Sequence, residues 1–342
     1  MIINKINISP YNIRLKRPLS NSQNIYSDQS GYIITLIIDQ YIGYGEVSLL
    51  KGFSKDGFKQ VTWAFEEIKM SLIEDEEYHQ NELFNIFEIA ANKNPSLHFA
   101  LDTALFDILS QMSSVSIARY LNPSSLDSIK MSSMHLEGFE SKNDCIKIKL
   151  QCSDVREDSL KLKNIIAGYD DGTIFRIDAN KGYDLNDAIH ICSLLSQFNV
   201  EYIEEPLKNM SINQLEILKN KTRLKIAIDE SIYNQDCKKL IKSKLIDFAI
   251  IKPSIYGSFG KIFKFKKYLE SNNIKIVISS ALENYIGNMS VINIAAALDL
   301  PTSHGINNQL FFDYGSNVAY NEYSLSFNVK DIIGLGVTWN DS

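Results

Sequence analysis

The sequence predicts an α/β protein in which a (β/α) barrel carries a smaller cap built from the N-terminal third of the chain. From about residue 130, short β-branched runs alternate with amphipathic helical patterns. Such repeated strand–helix units imply parallel strands joined by crossover helices. The first third is instead β-rich and then helical, and 342 residues suffice for one large domain and one smaller domain.

The cap is predicted to begin with a small sheet. Residues 2–8 alternate between apolar and polar side chains, and residues 32–38 and 41–47 flank Asp39-Gln40 in the manner of a hairpin. Apolar residues at helical spacing then indicate helical structure over residues 56–90 and an apolar helix over residues 97–112.

Six strand–helix units follow. Their similar size favours a closed barrel, although spacing alone also permits a doubly wound sheet. We assign residues 1–112 and the C-terminal tail 311–342 to an α+β capping domain, and residues 113–310 to the barrel. The predicted strands are residues 145–150, 174–178, 201–205, 224–229, 246–252 and 274–279, separated by helices at about 153–167, 184–197, 211–220, 235–243, 259–271 and 287–297.

Composition limits the classes of function. The formal net charge of −6 argues against nucleic acid as the main partner, and no run approaches the roughly 18 apolar residues of a membrane helix. The N-terminus lacks the layout of a signal peptide, so we expect a cytoplasmic protein. The 4 cysteines form no C-x-x-C pair and are expected to be reduced. We expect a small-molecule carboxylate as substrate, and the sequence leaves the oligomeric state open.

Three predicted strands end in an acidic residue: Asp178, Glu204 and Asp229. Each follows the previous one by one strand–helix unit, and the C-terminal ends of parallel barrel strands share one rim. Clustered carboxylates repel one another unless a cation neutralises them. Because all these ligands are oxygens, the pattern favours Mg²⁺, with Mn²⁺ second. Any one acid alone is better explained as a cap of the following helix, whereas three in register favour a metal site.

Three lysines flank these acids. Lys147 and Lys149 lie two residues apart on one strand and therefore on one face, and Lys252 ends the strand that follows Asp229. Two ammonium groups inside a barrel are costly, and each lowers the pKa of the other. A lysine tuned in this way can remove a proton whose acidity a metal ion has increased. Taken singly, each lysine would be explained as a surface residue or an ion-pair partner.

Five short motifs resemble, in order and spacing, the muconate-lactonizing subgroup of the enolase superfamily: Lys147-Ile-Lys149, Asp178-Ala-Asn180, Glu204-Glu-Pro, Asp229-Glu-Ser and Lys252-Pro-Ser. The resemblance covers nearly the whole chain. It implies a modified TIM barrel of the (β/α)7β type under an α+β cap. It also implies Mg²⁺ at the three acids, acid–base roles for Lys149 and Lys252, and a tuning role for Lys147.

Within that subgroup, residues 43–54, 251–258 and 278–287 are similar to the o-succinylbenzoate synthase family. The reaction of that family is the syn dehydration of 2-succinyl-6-hydroxy-2,4-cyclohexadiene-1-carboxylate to o-succinylbenzoate, a lyase step of menaquinone or phylloquinone biosynthesis. The resemblance implies that Lys149 removes the α-proton to give a metal-stabilised enediolate and then protonates the leaving hydroxide. It implies that Lys252 stabilises the planar anion by a cation–π contact.

The substrate contacts implied by this resemblance are Asn180, Ser279, Ser280 and Gly257. The sequence departs from the family pattern at Asn284-Tyr285, where serine is common, and at residues 49–51, where Pro-Leu-Pro is common. The polar segment 19–31 resembles the lid loop of the family, with a plain surface loop as the alternative. Glu46 could close the site or end a hairpin, and we favour the structural role.

Two other functions remain open. One is an N-acylamino acid racemase or a dipeptide epimerase on the same scaffold, in which Lys149 and Lys252 would exchange protons from opposite faces. No Asp-x-Asp pair occurs near residues 299–303, where the last strand of the barrel is expected, which counts against the dipeptide version. The other is a non-catalytic binding barrel, against which the retained lysines and acids argue, since no structural role requires all of them.

Overall fold

A computed structural model describes residues 1–20, 25–52, 54–73, 75–139, 141–313, 320–321 and 323–339. Within these residues the chain forms a three-stranded antiparallel sheet with helices and a barrel of parallel strands surrounded by helices. The predicted α/β class is therefore confirmed. Each helix in these ranges is either too short or too polar to cross a lipid bilayer.

The N-terminal sheet is a meander of β1 (Ile3–Ser20), β2 (Ile25–Ile38) and β3 (Tyr41–Ser48). The predicted hairpin at Asp39-Gln40 is present. The first two strands are longer than predicted: residues 25–31 belong to β2, and Tyr26 pairs with Leu19. The loop interpretation of residues 19–31 is therefore wrong over residues 25–31, because main-chain pairing needs no alternation of side chains. Residues 21–24 of that segment lie outside the described ranges.

Helices cover one side of this sheet. The helical region predicted at residues 56–90 is two helices, because a capping box at His79 begins a new one. Gly43 and Gly45 of β3 approach the long third helix so closely that a Cβ would lie 2.0 and 1.9 Å from the Ala104 and Ala100 carbonyl oxygens. These helices are α1 (Phe58–Ser71), α2 (Gln80–Ala90) and α3 (Pro95–Met112), and a short α4 (Ile117–Leu121) follows and packs against α3.

The barrel strands lie side by side in chain order. Seven of them form one continuous sheet, in which every neighbouring pair is parallel. The strands predicted at six positions are all present, with ends shifted by at most a few residues. In chain order the seven are β5 (Ser133–Met134), β6 (Cys145–Lys149), β7 (Ile174–Asp178), β8 (Val200–Glu204), β9 (Ile226–Ile228), β10 (Phe248–Ile251) and β11 (Lys275–Ile278).

A short strand, β12 (Ser303–His304), closes the barrel. It pairs in parallel with β4 (Ser128–Met131), the strand directly before β5. On its other side, Gly305 donates to the Ile278 carbonyl (2.9 Å) and accepts from the Ser280 amide (2.8 Å). Because β12 bridges both edges of the sheet, the ring is closed, and the doubly wound alternative is wrong.

Helices connect the barrel strands and cover them outside. Side-chain oxygens of Asp154, Asp184, Ser211 and Ser258 accept first-turn amides and so fix four of the helix starts. The helices are α5 (Val155–Ala167), α6 (Leu185–Leu195), α7 (Ile212–Lys221), α8 (Cys237–Lys242), α9 (Pro253–Tyr256), α10 (Phe259–Ser271) and α11 (Tyr285–Ala297).

Side chains alternate between the two faces of each barrel strand. Ile146 and Ile148 of β6 face outward and belong to the main core between sheet and helices. A separate apolar cluster of inward-facing residues fills the barrel interior: Tyr202, Ala227, Phe248, Ile250 and Val277. The polar inward-facing residues at the C-terminal ends of the strands therefore rest on an apolar base.

The C-terminal tail contacts both parts of the molecule. Its strand β13 (Ser326–Asn328) pairs antiparallel with β4 of the barrel. Further along, the Leu335 amide donates to Asp107 on α3 (2.8 Å), and the Trp339 ring lies 6.4 Å from that of Tyr11 on β1. The tail therefore links the cap to the first strand of the barrel.

Candidate active site

A cavity of about 100 Å³ opens at the C-terminal ends of the barrel strands, under the hairpin of the N-terminal sheet. Three cap residues contribute to its walls: Leu19, Tyr26 and Leu50. The barrel contributes the predicted residues Lys147, Lys149, Asp178, Asn180, Asp229, Lys252, Ser279 and Ser280. Sequence positions far apart are thus brought to one point by the shared rim of the strands.

Lys147 links two of the three acids. Its ammonium nitrogen lies 2.8 Å from Asp178 Oδ2 and 2.9 and 2.7 Å from the two oxygens of Glu204. Glu204 is fully buried and lies behind Lys147 rather than on the cavity wall. Asp178 and Glu204 are partners in register on adjacent strands, which explains why one ammonium group reaches both.

Lys252 forms a buried ion pair with the third acid, Asp229. Lys149 makes no ion pair with any residue that the structure describes, although it lines the same cavity. Lys149 is on β6 and Lys252 follows β10, four strands away in the closed ring. The two lysines therefore face the cavity from opposite walls.

Burial and neighbouring charges shift the two lysines in opposite directions. Burial lowers the pKa of Lys149, and the ammonium groups of Lys147 and Lys252 lower it further against the opposing effect of Asp178. Burial also acts to lower the pKa of Lys252, but the carboxylates of Asp229 and Glu204 outweigh it, and that pKa is raised. Lys149 therefore loses its proton more readily than an ordinary lysine, and Lys252 holds its proton more firmly.

Glu205 supports Asp229 from behind. It is fully buried, and its carboxylate accepts from the amides of Asp229 (2.9 Å) and Ser231 (2.7 Å) and from the Ser231 hydroxyl (2.8 Å). Burial raises the pKa of Glu205 to about 7. Adjacent strand residues point to opposite faces, so Glu205 is expected to point away from Glu204. The contacts of Glu205 give it a role in fixing the turn that presents Asp229.

Alternation of faces along a strand would point Glu230 away from its neighbour Asp229, yet Glu230 lies beside the site. Strand β9 ends at Ile228, and a 3₁₀ turn over Glu230–Tyr233 follows Asp229, so alternation does not apply there. The Asn180 amide group donates to Glu230 Oε1 at 3.4 Å. A turn signal in Asp-Glu-Ser could have indicated this position.

The oxygen atoms of the three acids are ligands of the kind that a hard cation prefers. In the described ranges, no three His, Cys, Asp or Glu side chains surround one point as a bound metal ion requires, because the three acids each face a lysine. Asp229 Oδ1 and Glu230 Oε2 are nevertheless buried and have no hydrogen-bond partner among the described residues. Carboxylate oxygens in that state are costly unless a cation meets them, and oxygen ligands suit Mg²⁺ or Mn²⁺.

The predicted substrate contacts divide into two groups. Asn180, Ser279 and Ser280 line the cavity, and the main-chain N–H of Asn180 donates to Asp178 Oδ1 (3.0 Å). Gly257 is not among the lining residues. Its φ of +119° ends α9 in a conformation that favours glycine, with Pro95 of α3 3.4 Å from where its Cβ would lie, so its position serves the turn and the contact with the cap.

Further lining residues are not among the predicted substrate contacts, although Leu19 and Tyr26 lie in the segment 19–31 that resembles the lid loop. They come from the cap sheet, from the segment around β5, from the loop after β11 and from the segment after β12. The sequence signal for most of them is weak, because short strands and loops of this composition are common: Leu19, Tyr26, Leu50, Ser132, Ser133, Met134, Leu282, Gly305, Asn307, Asn308, Leu310 and Phe311.

Comparison with known proteins places this geometry in a family. Residues 132–342 match the family model described as enolase C-terminal domain-like. The chain is 23% identical over 358 residues to an L-Ala-D/L-Glu epimerase of Francisella tularensis subsp. novicida, covering 98% of each chain. It is 23% identical over 331 residues to an o-succinylbenzoate synthase of Desulfotalea psychrophila, covering 84% of this chain and 88% of that relative.

Solved structures share the fold. A dipeptide epimerase from Enterococcus faecalis V583, complexed with Mg and the dipeptide L-Leu-L-Tyr, superimposes with a TM-score of 0.86 at 19% identity, covering 99% of this chain and 100% of that one. At that identity the likeness establishes the fold alone. Since the family model spans more than half of the sequence, the chain belongs to the enolase C-terminal domain-like family.

Proposed function

We propose that the protein is an o-succinylbenzoate synthase, a Mg²⁺-dependent lyase that dehydrates 2-succinyl-6-hydroxy-2,4-cyclohexadiene-1-carboxylate. The observation that carries proton abstraction is that Lys149 and Lys252 line, from opposite sides, one cavity that Asp178 and Asp229 also line. The resemblance of residues 43–54, 251–258 and 278–287 to the o-succinylbenzoate synthase family supports dehydration as the outcome. A reaction in menaquinone or phylloquinone biosynthesis and a cytoplasmic location belong to the same proposal.

The composition of the cavity wall supports this substrate over a dipeptide. The wall after β12 includes Gly305, Asn307 and Asn308, none of which carries a charge. The acidic residues that line the described cavity are Asp178 and Asp229, and each forms an ion pair with a lysine. The free ammonium of a dipeptide would be left without a carboxylate partner there, which is costly in a closed cavity. A substrate with a neutral or anionic second arm, such as a succinyl group, avoids that cost.

In the proposed reaction Lys149 acts as both base and acid. As a neutral amine it takes the proton from C1 of the ring and then gives it to the hydroxyl that leaves C6 on the same face, so that water departs and the ring becomes aromatic. The Lys252 ammonium on the opposite wall stabilises the negative charge that develops in the ring. Leu50 and Tyr26 of the cap cover the cavity from the solvent side.

Asp178, Glu204 and Asp229 would hold Mg²⁺, as the orphaned oxygen of Asp229 suggests. Bound there, the ion would neutralise the substrate carboxylate and increase the acidity of the neighbouring C–H group. Lys147 would then keep Asp178 and Glu204 in place and maintain positive charge near Lys149.

The test is ultraviolet-monitored conversion of the cyclohexadiene to o-succinylbenzoate with Mg²⁺, and again with excess chelator. We expect rapid turnover that the chelator abolishes and that added Mg²⁺ restores. A folded, Mg²⁺-binding protein that leaves the cyclohexadiene unchanged would refute the proposal.

N-acylamino acid racemisation is the second candidate, and the opposed lysines favour it equally. Lys149 could remove an α-proton from one face while Lys252 returns a proton to the other, and an acylated nitrogen carries no charge that needs an acidic partner. Racemisation requires both lysines, whereas dehydration needs only Lys149 for proton transfer. Deuterium incorporation at the α-carbon of N-succinyl amino acids, without dehydration of the cyclohexadiene, would establish this alternative.

A further inference from the structure

Two buried acids that the proposed chemistry does not use meet at the start of helix α11. Glu46 belongs to cap strand β3, and Glu283 lies in the loop between β11 and α11. Both are fully buried. A buried carboxylate is tolerated only when hydrogen bonds replace its water, so the partners of these two acids indicate what they hold in place.

Glu46 caps the N-terminus of α11 from the cap side of the molecule. Its Oε1 accepts from the Asn284 amide (2.8 Å) and the Tyr11 hydroxyl, and its Oε2 accepts from the Gly287 amide (2.8 Å). First-turn amides lack partners within a helix, and negative charge is favourable there. A Cβ at position 287 would lie 2.9 Å from Glu46 Oε2, so glycine allows the carboxylate this close approach.

Glu283 connects the same helix start to the cavity. Its carboxylate accepts from the hydroxyls of Ser280 and Ser254. Ser280 lines the cavity, and Ser254 is the second residue after Lys252. The main-chain oxygen of Glu283 also accepts from the side chain of Asn308, another lining residue, at 2.8 Å. Movement of the start of α11 would therefore be passed directly to the cavity wall.

Leu282, which also lines the cavity, shows that this loop is held under strain. Its φ of 60° is a left-handed conformation that a branched side chain rarely adopts. Its amide donates to the Ser280 hydroxyl at 2.9 Å. Such conformations persist only where the surrounding contacts fix them, and here those contacts lead back to Glu283 and the capped helix.

We propose that Glu46 is a positioning residue for substrate binding: by capping α11 across the junction of cap and barrel, it fixes the 280–284 loop that forms one wall of the cavity. Glu46 itself does not line the cavity, so it acts through that loop. The choice of substrate for the kinetic measurement rests on the proposed function, whereas the hydrogen–deuterium exchange measurement does not.

The substitution Glu46→Gln keeps the size of the side chain but turns one acceptor oxygen into an NH2 group that faces a backbone N–H. Asp107→Asn is a matched control. Asp107 is also buried and accepts from the amides of Tyr44 on the same cap strand (3.1 Å) and Leu335 of the tail (2.8 Å). Asp107 therefore joins cap strand β3 to the C-terminal tail and has no hydrogen bond to the 280–284 loop among the described residues.

The kinetic measurement compares the two variants with the cyclohexadiene substrate. We expect Glu46→Gln to raise KM by about tenfold with kcat changed by less than about threefold, because the loss falls on substrate binding. Asp107→Asn should lower Tm without raising KM. Equal KM values in the two variants would overturn the proposal.

Hydrogen–deuterium exchange of residues 279–287 supplies the substrate-free measurement. We expect faster exchange there in Glu46→Gln and unchanged exchange in Asp107→Asn. Should the wild-type protein fail to dehydrate the cyclohexadiene, the proposed function is wrong, and exchange alone decides the role of Glu46: faster exchange retains it, and unchanged exchange overturns it.

Discussion

The barrel interior holds two groups of buried charge that differ in how completely their polar atoms are paired. Arg176 of β7, one pleat below Asp178, donates to Glu201 (2.7 Å), to the Ser303 carbonyl (2.7 Å) and to the Thr302 hydroxyl (3.1 Å). At the rim above it, Asp229 Oδ1 and Glu230 Oε2 are buried without a partner among the described residues.

This difference in pairing distinguishes the charged groups that stabilise the barrel from those that serve its function. The Arg176 interactions tie β7 to the segment that begins β12 and so help to close the ring. A buried group with all its partners present is explained by folding, and the N-terminal side of a barrel commonly serves stability. Orphaned oxygens beside opposed lysines are not explained by folding, and they lie where barrel active sites occur.

The largest expected effect is on turnover. Replacing Lys149 by Met should reduce kcat for the cyclohexadiene by about 10³-fold or more, because it removes the proposed proton carrier. The free energy of unfolding should be unchanged or higher, since a buried amine without an ion pair is replaced by an apolar side chain of similar length. Steady-state kinetics measure the loss of kcat, and urea unfolding measures the free energy of unfolding. Retained turnover would remove Lys149 from the mechanism.

The same replacement at the other group should give the opposite result. Arg176→Met should lower the free energy of unfolding by about 3 kcal/mol, because it leaves Glu201 and the Ser303 carbonyl without their buried partner. The kcat of the protein that remains folded should change little. Urea unfolding and kinetics at a low temperature measure both. A stable but inactive Arg176→Met variant would break the comparison.

A smaller effect is expected where a fully bonded acid supports the active rim. Glu205→Gln should weaken Mg²⁺ binding by about tenfold, because it disturbs the amides that present Asp229. Isothermal titration with Mg²⁺ measures the affinity, and Asp154→Asn, at an exposed helix cap, provides the control. Unchanged Mg²⁺ affinity in Glu205→Gln would show that the turn at Asp229 keeps its geometry unaided.

A further expected effect concerns stability alone: burial of His304 should make the free energy of unfolding depend on pH. Burial, assisted by Arg176, lowers the pKa of His304 to about 3, and its Nδ1 accepts from the Ile278 amide at 3.1 Å. The unfolded chain binds the proton at its ordinary pKa of about 6.5. Stability from this group is therefore complete above pH 6.5 and falls by about 1.4 kcal/mol per unit as pH decreases toward 3.

The difference in unfolding free energy between the wild type and His304→Gln, measured from pH 7 to 4.5, isolates this contribution from other titrating groups. We expect the difference to shrink as pH falls. A difference that stays constant with pH would mean that His304 is protonated in the folded barrel.

Periodicity alone predicts most of the barrel. The strands β6, β7 and β8 are each 5 residues long, contain β-branched side chains and are followed by clear helical patterns, so local sequence specifies them. Strand β12 has only Ser303 and His304, and its pairing depends on edges supplied by β4 and β11. A two-residue strand is too short to show hydrophobic periodicity, so only its pairing at the closure of the ring identifies it.

The chemistry-bearing residues were likewise specified locally. Lys147, Lys149, Asp178, Asp229 and Lys252 share a cavity because each ends or lies near the end of a parallel strand, a relation that spacing reveals. The pairing of each acid with a lysine, the placement of Glu230 in a turn and the cover from Leu19 and Tyr26 depend on distances between elements far apart in the chain.

The parallel strands, the cap hairpin and the set of lysines and acids at the strand ends can all be predicted from the sequence, because each depends on periodicity or on spacing between neighbouring units. The tertiary structure was needed to show that the ring of strands is closed and which contacts fix the walls of the cavity. Contacts such as that of Glu46 with α11 join segments more than two hundred residues apart, and no local pattern encodes a hydrogen bond over that separation.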